Sequence, residues 1–192
     1  MIIYCATGNP GKLREFQLAG ELLKIDIEPL PGLKEINAPE ENGATFEENA
    51  RIKAIFYSKF ARGLLFADDS GLEVDALNGA PGVYSARYAG PHATDLANNE
   101  LLLQRLGDNP NRRARFVCVI ALAEAGQVRQ TFRGEVEGEI LRAARGQGGF
   151  GYDPLFYYPP FGCSFGEVDG PKKFDVSHRG KALRALLNYA VH

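Results

Sequence analysis

Long apolar runs, an appreciable net charge and a cysteine framework are all missing from this chain of 192 residues. The longest strongly apolar stretch, residues 116–123, is far too short to cross a bilayer. A net charge of −2 and a pI near 6.0 argue against a protein whose main work is coating nucleic acid, which needs a basic surface. A small basic cleft stays compatible with both values. The three cysteines, Cys5, Cys118 and Cys163, are odd in number and widely spaced, so neither a disulfide framework nor a zinc site is expected. Cys5 and Cys118 lie in apolar runs, as small buried hydrophobes do. The apolar run 1–6 has no basic leader, so the expectation is no signal peptide, no membrane span and a reduced, cytoplasmic setting. We find no internal repeat, no low-complexity segment and no linker.

What is present is an ordinary globular composition, 45% hydrophobic and 24% charged, and a size that suits one domain over residues 1–192. Residues 1–6 read as a buried strand ending in a Gly/Asn/Pro/Gly turn, followed by a helix over 12–23 with Leu13, Phe16, Leu22 and Leu23 on its apolar positions. A loop-rich stretch over 27–43 follows, with room for a short strand at its start. Thr45 and Glu48 form a capping box for the next helix, in which Glu48 is expected to return a bond to the Thr45 N–H. Ala50, Ala54, Tyr57 and Ala61 give that helix one apolar stripe. Residues 64–67 read as a second strand, stopped by Asp68-Asp69-Ser70-Gly71. A Gly- and Pro-rich tract covers 77–90, and 95–106 looks helical. Strands are expected over 115–123, 128–133 and 136–142, joined by short Gly-containing turns, and a last helix from Ser177. Strand–helix alternation followed by a meander predicts an α/β fold with a mixed, partly antiparallel sheet flanked by helices.

Four segments could carry chemistry. The first, Thr7-Gly8-Asn9-Pro10-Gly11-Lys12, matches neither the P-loop nor the dinucleotide fingerprint. It remains a strand–turn–helix with free N–H groups, two polar side chains and a lysine, and such a helix start attracts anions. An ordinary βα turn is the alternative. Asp68 and Asp69 follow a strand, so their side chains should point to opposite faces. One can serve Mg²⁺, with Glu40-Glu41 supplying a second ligand, while solvated surface acids are the alternative. Lys53 lies beside an apolar stripe, where it either reaches into a cleft or snorkels to water.

Ser177 is a good N-cap, which places His178, Arg179 and Lys181 in the first helical turn. Cations there oppose the helix dipole by roughly 0.3–1 kcal/mol each, a cost that an anionic or carbonyl-bearing ligand would offset. A solvated turn is the alternative. In the fourth segment, residues 146–154, Phe150 and Tyr152 beside permissive glycines could stack on a base while N–H groups read its edge, and Asp153 offers an acceptor.

These segments, with 45–50 and 80–88, resemble the inosine/xanthosine triphosphate pyrophosphatase family in order and spacing, nearly end to end. The resemblance implies a two-lobed α/β fold around a long mixed sheet, a homodimer, Mg²⁺ dependence and cleavage of noncanonical purine nucleoside triphosphates (ITP, dITP, XTP) to monophosphate and pyrophosphate. Carried over by position, Thr7, Gly8, Asn9, Pro10, Gly11 and Lys12 hold the triphosphate, with Lys53 and Ser70 assisting. Glu40 and Asp69 hold Mg²⁺, and Asp69 is also the implied general base. A carboxylate bound directly to Mg²⁺ has a lowered pKa, so the second role reduces to orienting the attacking water. Phe150, Gly151, Tyr152, Asp153, Lys173, His178 and Arg179 form the implied base pocket. The stretch 167–175 departs from the acidic, helical lead-in of the family, which leaves Lys172 and Lys173 as alternatives; spacing to Ser177 favours Lys173.

The expected chemistry is attack of water on the α-phosphorus, with Lys12 among the groups holding the leaving pyrophosphate. Donors from Arg179 and loop N–H groups are expected to pair with a purine 6-carbonyl and to reject adenine, so that Arg179→Ala loses ITP preference. The rival readings are a pyrophosphatase of modified pyrimidines or methylated bases, and a nucleotide- or RNA-binding module using Arg112, Arg113 and Arg115.

Overall fold

The computed structural model describes residues 1–191, the side chains of Leu22 and Leu23 excepted, so the part expected of those two on the first helix lies outside the described residues. In chain order the elements are β1 (Ile2–Cys5), α1 (Pro10–Leu23), β2 (Asp26–Pro29), α2 (Phe46–Tyr57), β3 (Leu65–Val74), α3 (Asp95–Leu106), β4 (Arg113–Glu124), β5 (Gln127–Ile140), β6 (Phe156–Tyr158), β7 (Cys163–Ser164), α4 (Gly170–Val176) and α5 (His178–Ala190). Among the described residues the strands form one sheet in the order β2-β1-β3-β4-β5-β6-β7. β1 runs parallel to β2 and β3, while β6 is antiparallel to β5 and β7. The fold is therefore the expected α/β class with a mixed sheet. Among the described residues no helix is long and apolar enough to cross a membrane.

By its internal contacts the chain divides into two compact units. Unit 1 comprises Met1–Asp69, Cys118–Gly134 and the residues from His178 on, and unit 2 comprises Ser70–Val117 and Glu135–Ser177. In unit 1, Ile3, Cys5, Phe16, Leu65, Phe66, Leu183 and Leu186 are buried, and the Phe16 and Phe66 rings meet edge to face at 5.0 Å. In unit 2 the core gathers Leu72, Val74, Leu102, Phe116, Val136, Leu155, Phe156 and Phe165. All three cysteines are unpaired, and Cys5 and Cys118 are buried as expected.

Two strands are longer than the sequence reading allows. β3 does not stop at Ala67; it runs through Asp68-Asp69-Ser70-Gly71 to Val74. The carboxylates can stay inside a strand because lysines neutralise them, and Leu72 and Val74 beyond them are fully buried. β5 likewise passes straight through Gly134, where a turn was expected. Gly134 is there for close approach: a Cβ would lie 2.1 Å from the His178 carbonyl oxygen. The turn the sequence does place, Ala125-Gly126 with φ of 49° and 81°, joins β4 to β5 as a tight hairpin. Residues 170–176 are helical, capped by Asp169 with Pro171 in the first turn, so the lead-in to Ser177 keeps a helix despite its different composition.

Candidate active site

In unit 1 the Asn9 side chain caps α1, its Oδ1 accepting from Gly11 N at 2.9 Å and Lys12 N at 3.1 Å. Thr7 Oγ1 accepts from Asn9 N. The amides of Asn9, Gly11 and Lys12 are therefore already bonded, contrary to the expectation of free N–H groups at this turn. What the turn presents is the Lys12 ammonium, whose Nζ donates to Asp68 Oδ2 at 2.8 Å. Burial raises the Asp68 pKa, but Lys12, Arg179 and Lys53 outweigh it and hold the carboxyl below its ordinary range.

Asp69, the next residue, has different company. Lys53 Nζ donates to Asp69 Oδ1 at 3.1 Å and pairs with Glu41 at 3.0 Å, and Asn49 Nδ2 reaches Asp69 Oδ2 at 3.5 Å. Asn49 and Lys53 are four apart on α2, so both project from one face onto the same carboxylate. Lys53 does not snorkel to water. Burial lowers its pKa, but Asp69, Asp68 and Glu41 more than reverse that. For Asp69 burial wins over Lys53 and Lys12, and its pKa stands above the ordinary carboxylate value. The adjacent acids thus diverge: Asp68 is held ionised, whereas Asp69 is pushed toward the proton.

Thr45 caps α2 by accepting from Glu48 N, but the Glu48 carboxylate accepts from Ala44 N and not from Thr45 N. Asn49 also accepts from Gly43 N at 2.8 Å, which ties the end of the acidic loop to the helix. Of the two loop acids, Glu40 is exposed, and Glu41 is the one that shares Lys53 with Asp69.

α5 begins at His178, directly after Ser177. His178 and Arg179 are buried, and Arg179 Nη1 donates to Glu15 Oε2 on α1. Burial opposes the Arg179 charge, yet Glu15 and Asp68 hold the guanidinium above its ordinary pKa. The dipole cost expected here is therefore countered by Glu15 from within the protein. Arg179 keeps company with Glu15 and Asp68 in unit 1.

In unit 2, Lys173 and not Lys172 is the buried lysine. Its Nζ donates to Asp153 Oδ2 at 2.6 Å and lies 4.9 Å from the centre of the Phe150 ring. Asp153 Oδ2 also accepts from Phe150 N at 3.0 Å. Gly149, at φ 70°, is required there, since a Cβ would lie 2.1 Å from that oxygen. The loop is clamped from α3: Gly151 N donates to Asp95 Oδ2 at 2.8 Å, and Asn99 Nδ2 donates to Gly151 O at 3.1 Å. Gly148 N donates to Gly166 O. The amides of Gly148, Phe150 and Gly151 are thus committed inside the unit, against the expectation that they read a base edge. Tyr152 is buried in the core and its hydroxyl donates to Ser85 O at 2.7 Å, so it anchors the loop and does not offer a stacking face. Asp153 is buried as the partner of Lys173 and is no open acceptor.

Within unit 1 the structure brings together Lys12, Lys53, Asp69 and Arg179; within unit 2 it brings together Phe150, Gly151, Tyr152, Asp153 and Lys173. Ser70 is half-buried, and Gly8 and Pro10 are exposed beside the Asn9 cap. Sequence reasoning passed over Asn49, Glu15, Asp95 and Asn99 as functional residues. Asn49 carried a signal, being an amide on the same buried helix face as Phe46, Ala50 and Ala54. The other three act by contacts between distant elements and left none.

An oxygen-only group of carboxylates beside two lysines can take a hard cation and phosphate oxygens. Among the described residues no group of 3 or more His, Cys, Asp and Glu is gathered as a metal cage. Mg²⁺ does not need one, since one or two protein carboxylates are enough.

Comparison with known proteins places these features in a wider set. A model of the Ham1 family matches residues 3–189. A protein of Acidobacterium capsulatum named dITP/XTP pyrophosphatase is 50% identical over 196 residues, covering 97% of each chain. One of the same name from Thermus thermophilus is 51% identical over 190 residues, covering 97% of this chain and 90% of its own. Among solved structures, a HAM1 protein from Coxiella burnetii matches with a TM-score of 0.89 at 42% identity, over 100% of this chain and 98% of its own. The Ham1 protein of Staphylococcus aureus matches with a TM-score of 0.87 at 40% identity, over 99% and 98%.

Proposed function

The chain belongs to the Ham1 family, and from that premise we propose that it is a nucleoside triphosphate pyrophosphatase acting on deaminated purine nucleotides. In this reading dITP, ITP and XTP are cut to the monophosphate and pyrophosphate by attack of water on the α-phosphorus, with Mg²⁺ as cofactor. The observation that carries it is the pair of adjacent buried carboxylates, Asp68 and Asp69, each bonded to its own lysine.

Lys12 and Lys53 are the cations for the phosphates. Each now bonds a carboxylate, and a triphosphate competes for the same ammonium protons, so binding loosens Asp69 from Lys53. That leaves Asp69 available as a metal ligand, where it would orient the attacking water and not take its proton. Lys12 stays bonded to an ionised Asp68 and is held in place for the charge that builds on the departing pyrophosphate. Arg179, expected in the base pocket, is assigned instead to the electrostatic support of Asp68, because Glu15 holds it there. Asp69 would hold Mg²⁺ together with a carboxylate of the 40–41 loop, where Glu41 already shares Lys53 with it. Bound there, the ion supplies positive charge to the phosphate oxygens and to the attacking water.

Base choice is assigned to unit 2. Lys173, sealed against Asp153 and 4.9 Å from the centre of the Phe150 ring, fixes that ring and sets positive charge at this place, which favours the 6-carbonyl of hypoxanthine or xanthine. Adenine puts an amino donor at the same place, which the same positive charge disfavours. A homodimer through residues 80–88, where Tyr84 is exposed, and a cytoplasmic setting complete the proposal.

The test is pyrophosphate release from dITP, ITP, XTP, GTP, ATP and dTTP, with Mg²⁺ and with EDTA. Release confined largely to dITP, ITP and XTP and abolished by EDTA is the expected result. Release from dTTP alone would keep the phosphate assignment and discard the base reading. Binding with no release would leave a nucleotide-binding protein.

A further inference from the structure

Unit 2 holds a cavity of about 510 Å³ that the proposed reaction does not use. Arg112, Arg113, Arg142 and Arg145 line it, with Glu139 as the carboxylate in its wall. Four arginines against Glu139 and the Asp108 that pairs with Arg142 leave two positive charges in this place, on a chain whose net charge is −2. The sequence marks Arg112, Arg113 and Arg115 as one patch, and the fold separates them. Arg115 turns to Glu73, bonding it at 2.6 Å, and takes no part in the cavity.

Arg112 is built into the wall. Its Nε donates to Ile140 O at 2.7 Å, Nη1 to Gly107 O at 2.9 Å, and Nη2 to Leu141 O at 3.1 Å. Backbone carbonyls satisfy its donors and fix its plane, but they carry no charge to neutralise it. Partial burial and the nearby Arg142 push its pKa below the ordinary guanidinium value, while Asp108 pulls the other way. Arg142 pairs with Asp108 at 2.8 Å, in a bridge exposed on both sides. Arg113 and Arg145 make no ion pair among the described residues. The Arg145 backbone is nonetheless set, its N–H bonding Pro154 O and its carbonyl accepting from Ser164 Oγ.

Like charges gathered in one concave place repel, and an anion that joins them offsets the repulsion. Guanidinium forks fit phosphate oxygens two at a time, and the cavity has the size of a small-molecule site. We propose that this cavity is a second anion site, for a small molecule bearing phosphate groups. Inorganic pyrophosphate and a nucleoside monophosphate share that chemistry, and both would be products of the reaction proposed above. The inference itself needs no turnover and stands or falls apart from that reading.

The full chain, labelled with ¹⁵N, is titrated in EDTA with inorganic pyrophosphate, with IMP and with sodium sulfate, and followed at backbone amides and arginine Nε–H groups. Saturable shifts at Arg112 Nε–H and at the Leu141 and Arg142 amides are expected, with pyrophosphate or IMP binding more tightly than sulfate. The tighter of those two identifies the source of the phosphate. Arg113→Glu with Arg142→Glu should weaken this binding by about tenfold or more, leaving any pyrophosphate release from dITP unchanged. The wild-type shifts need no variant to fold, and Arg142→Gln alone gives a milder second test. Shifts confined to Lys12 and Lys53, equal binding of sulfate, affinity kept in the folded double variant, or tighter binding of a single-stranded oligonucleotide would each overturn the proposal.

Discussion

In unit 1 the ion pairs keep one side in water: the side chains of Lys12, Lys53 and Asp69 are 18%, 13% and 12% exposed. In unit 2 the Lys173–Asp153 pair is sealed, at 3% and 4%. Pairs that keep a face in water can be reached by a ligand, which then competes for the ammonium protons. A sealed pair cannot lose one member without burying a lone charge. The same chemistry, a lysine on an aspartate, therefore gives an exchangeable site in one unit and a rigid scaffold in the other. Each unit's hydrogen bonds agree with this. Asp69 accepts from Lys53 and, at a longer distance, from Asn49, whereas the loop around Asp153 has the amides of Gly148, Phe150 and Gly151 all bonded.

The sharpest way to break this comparison is to remove one lysine from each unit. Lys173→Ala should cost about 3–5 kcal/mol of unfolding free energy, because it leaves Asp153 buried and alone. Lys53→Ala should cost far less in urea denaturation, since Asn49 and water remain for Asp69. Equal losses would erase the distinction. Next in size is Asn49→Ala, which frees both Asp69 and the end of the acidic loop. It should lower turnover of dITP by about 10–100-fold, as loss of a carboxylate's supporting bond does at metal sites, with a smaller loss of stability. Unchanged turnover would remove Asn49 from the site. The smallest effect concerns base choice. If Arg179 serves Asp68, Arg179→Lys should lower kcat/KM for ITP and ATP together and leave their ratio within about twofold. A ratio that collapses toward one would return Arg179 to base reading, as the sequence alone implied.

Much of the fold was legible because it is written locally. The helix expected over 95–106 is α3 at its observed bounds, and the helix expected from residue 12 begins two residues earlier, at Pro10 behind the Asn9 cap. The failures share one cause. Asp68 and Asp69 read as a strand stop because their counter-ions, Lys12 and Lys53, lie 56 and 16 residues away and come to them only in the fold. Gly134 read as a turn because its real constraint, the His178 carbonyl, belongs to another element. In the site, the charged residues were found by type, but Glu15, which pairs with Arg179, and Asp95 and Asn99, which clamp Gly151, were not. Phe150, Tyr152 and Asp153 were identified as a group, yet their division into ring, anchor and counter-ion depends on which of them the core buries.

The measurement closest to the central claim is pyrophosphate release from dITP by Asp69→Asn, with its thermal stability recorded in the same preparation. Burial raises the Asp69 pKa, so the ionised carboxylate is a strain on the fold, and Asn keeps the shape without the charge. The account predicts turnover lower by about a thousandfold or more, the scale on which charge-positioning groups act, at a Tm equal to or above that of the unaltered protein. Substantial turnover at an unchanged Tm would contradict it and move the chemistry away from Asp69.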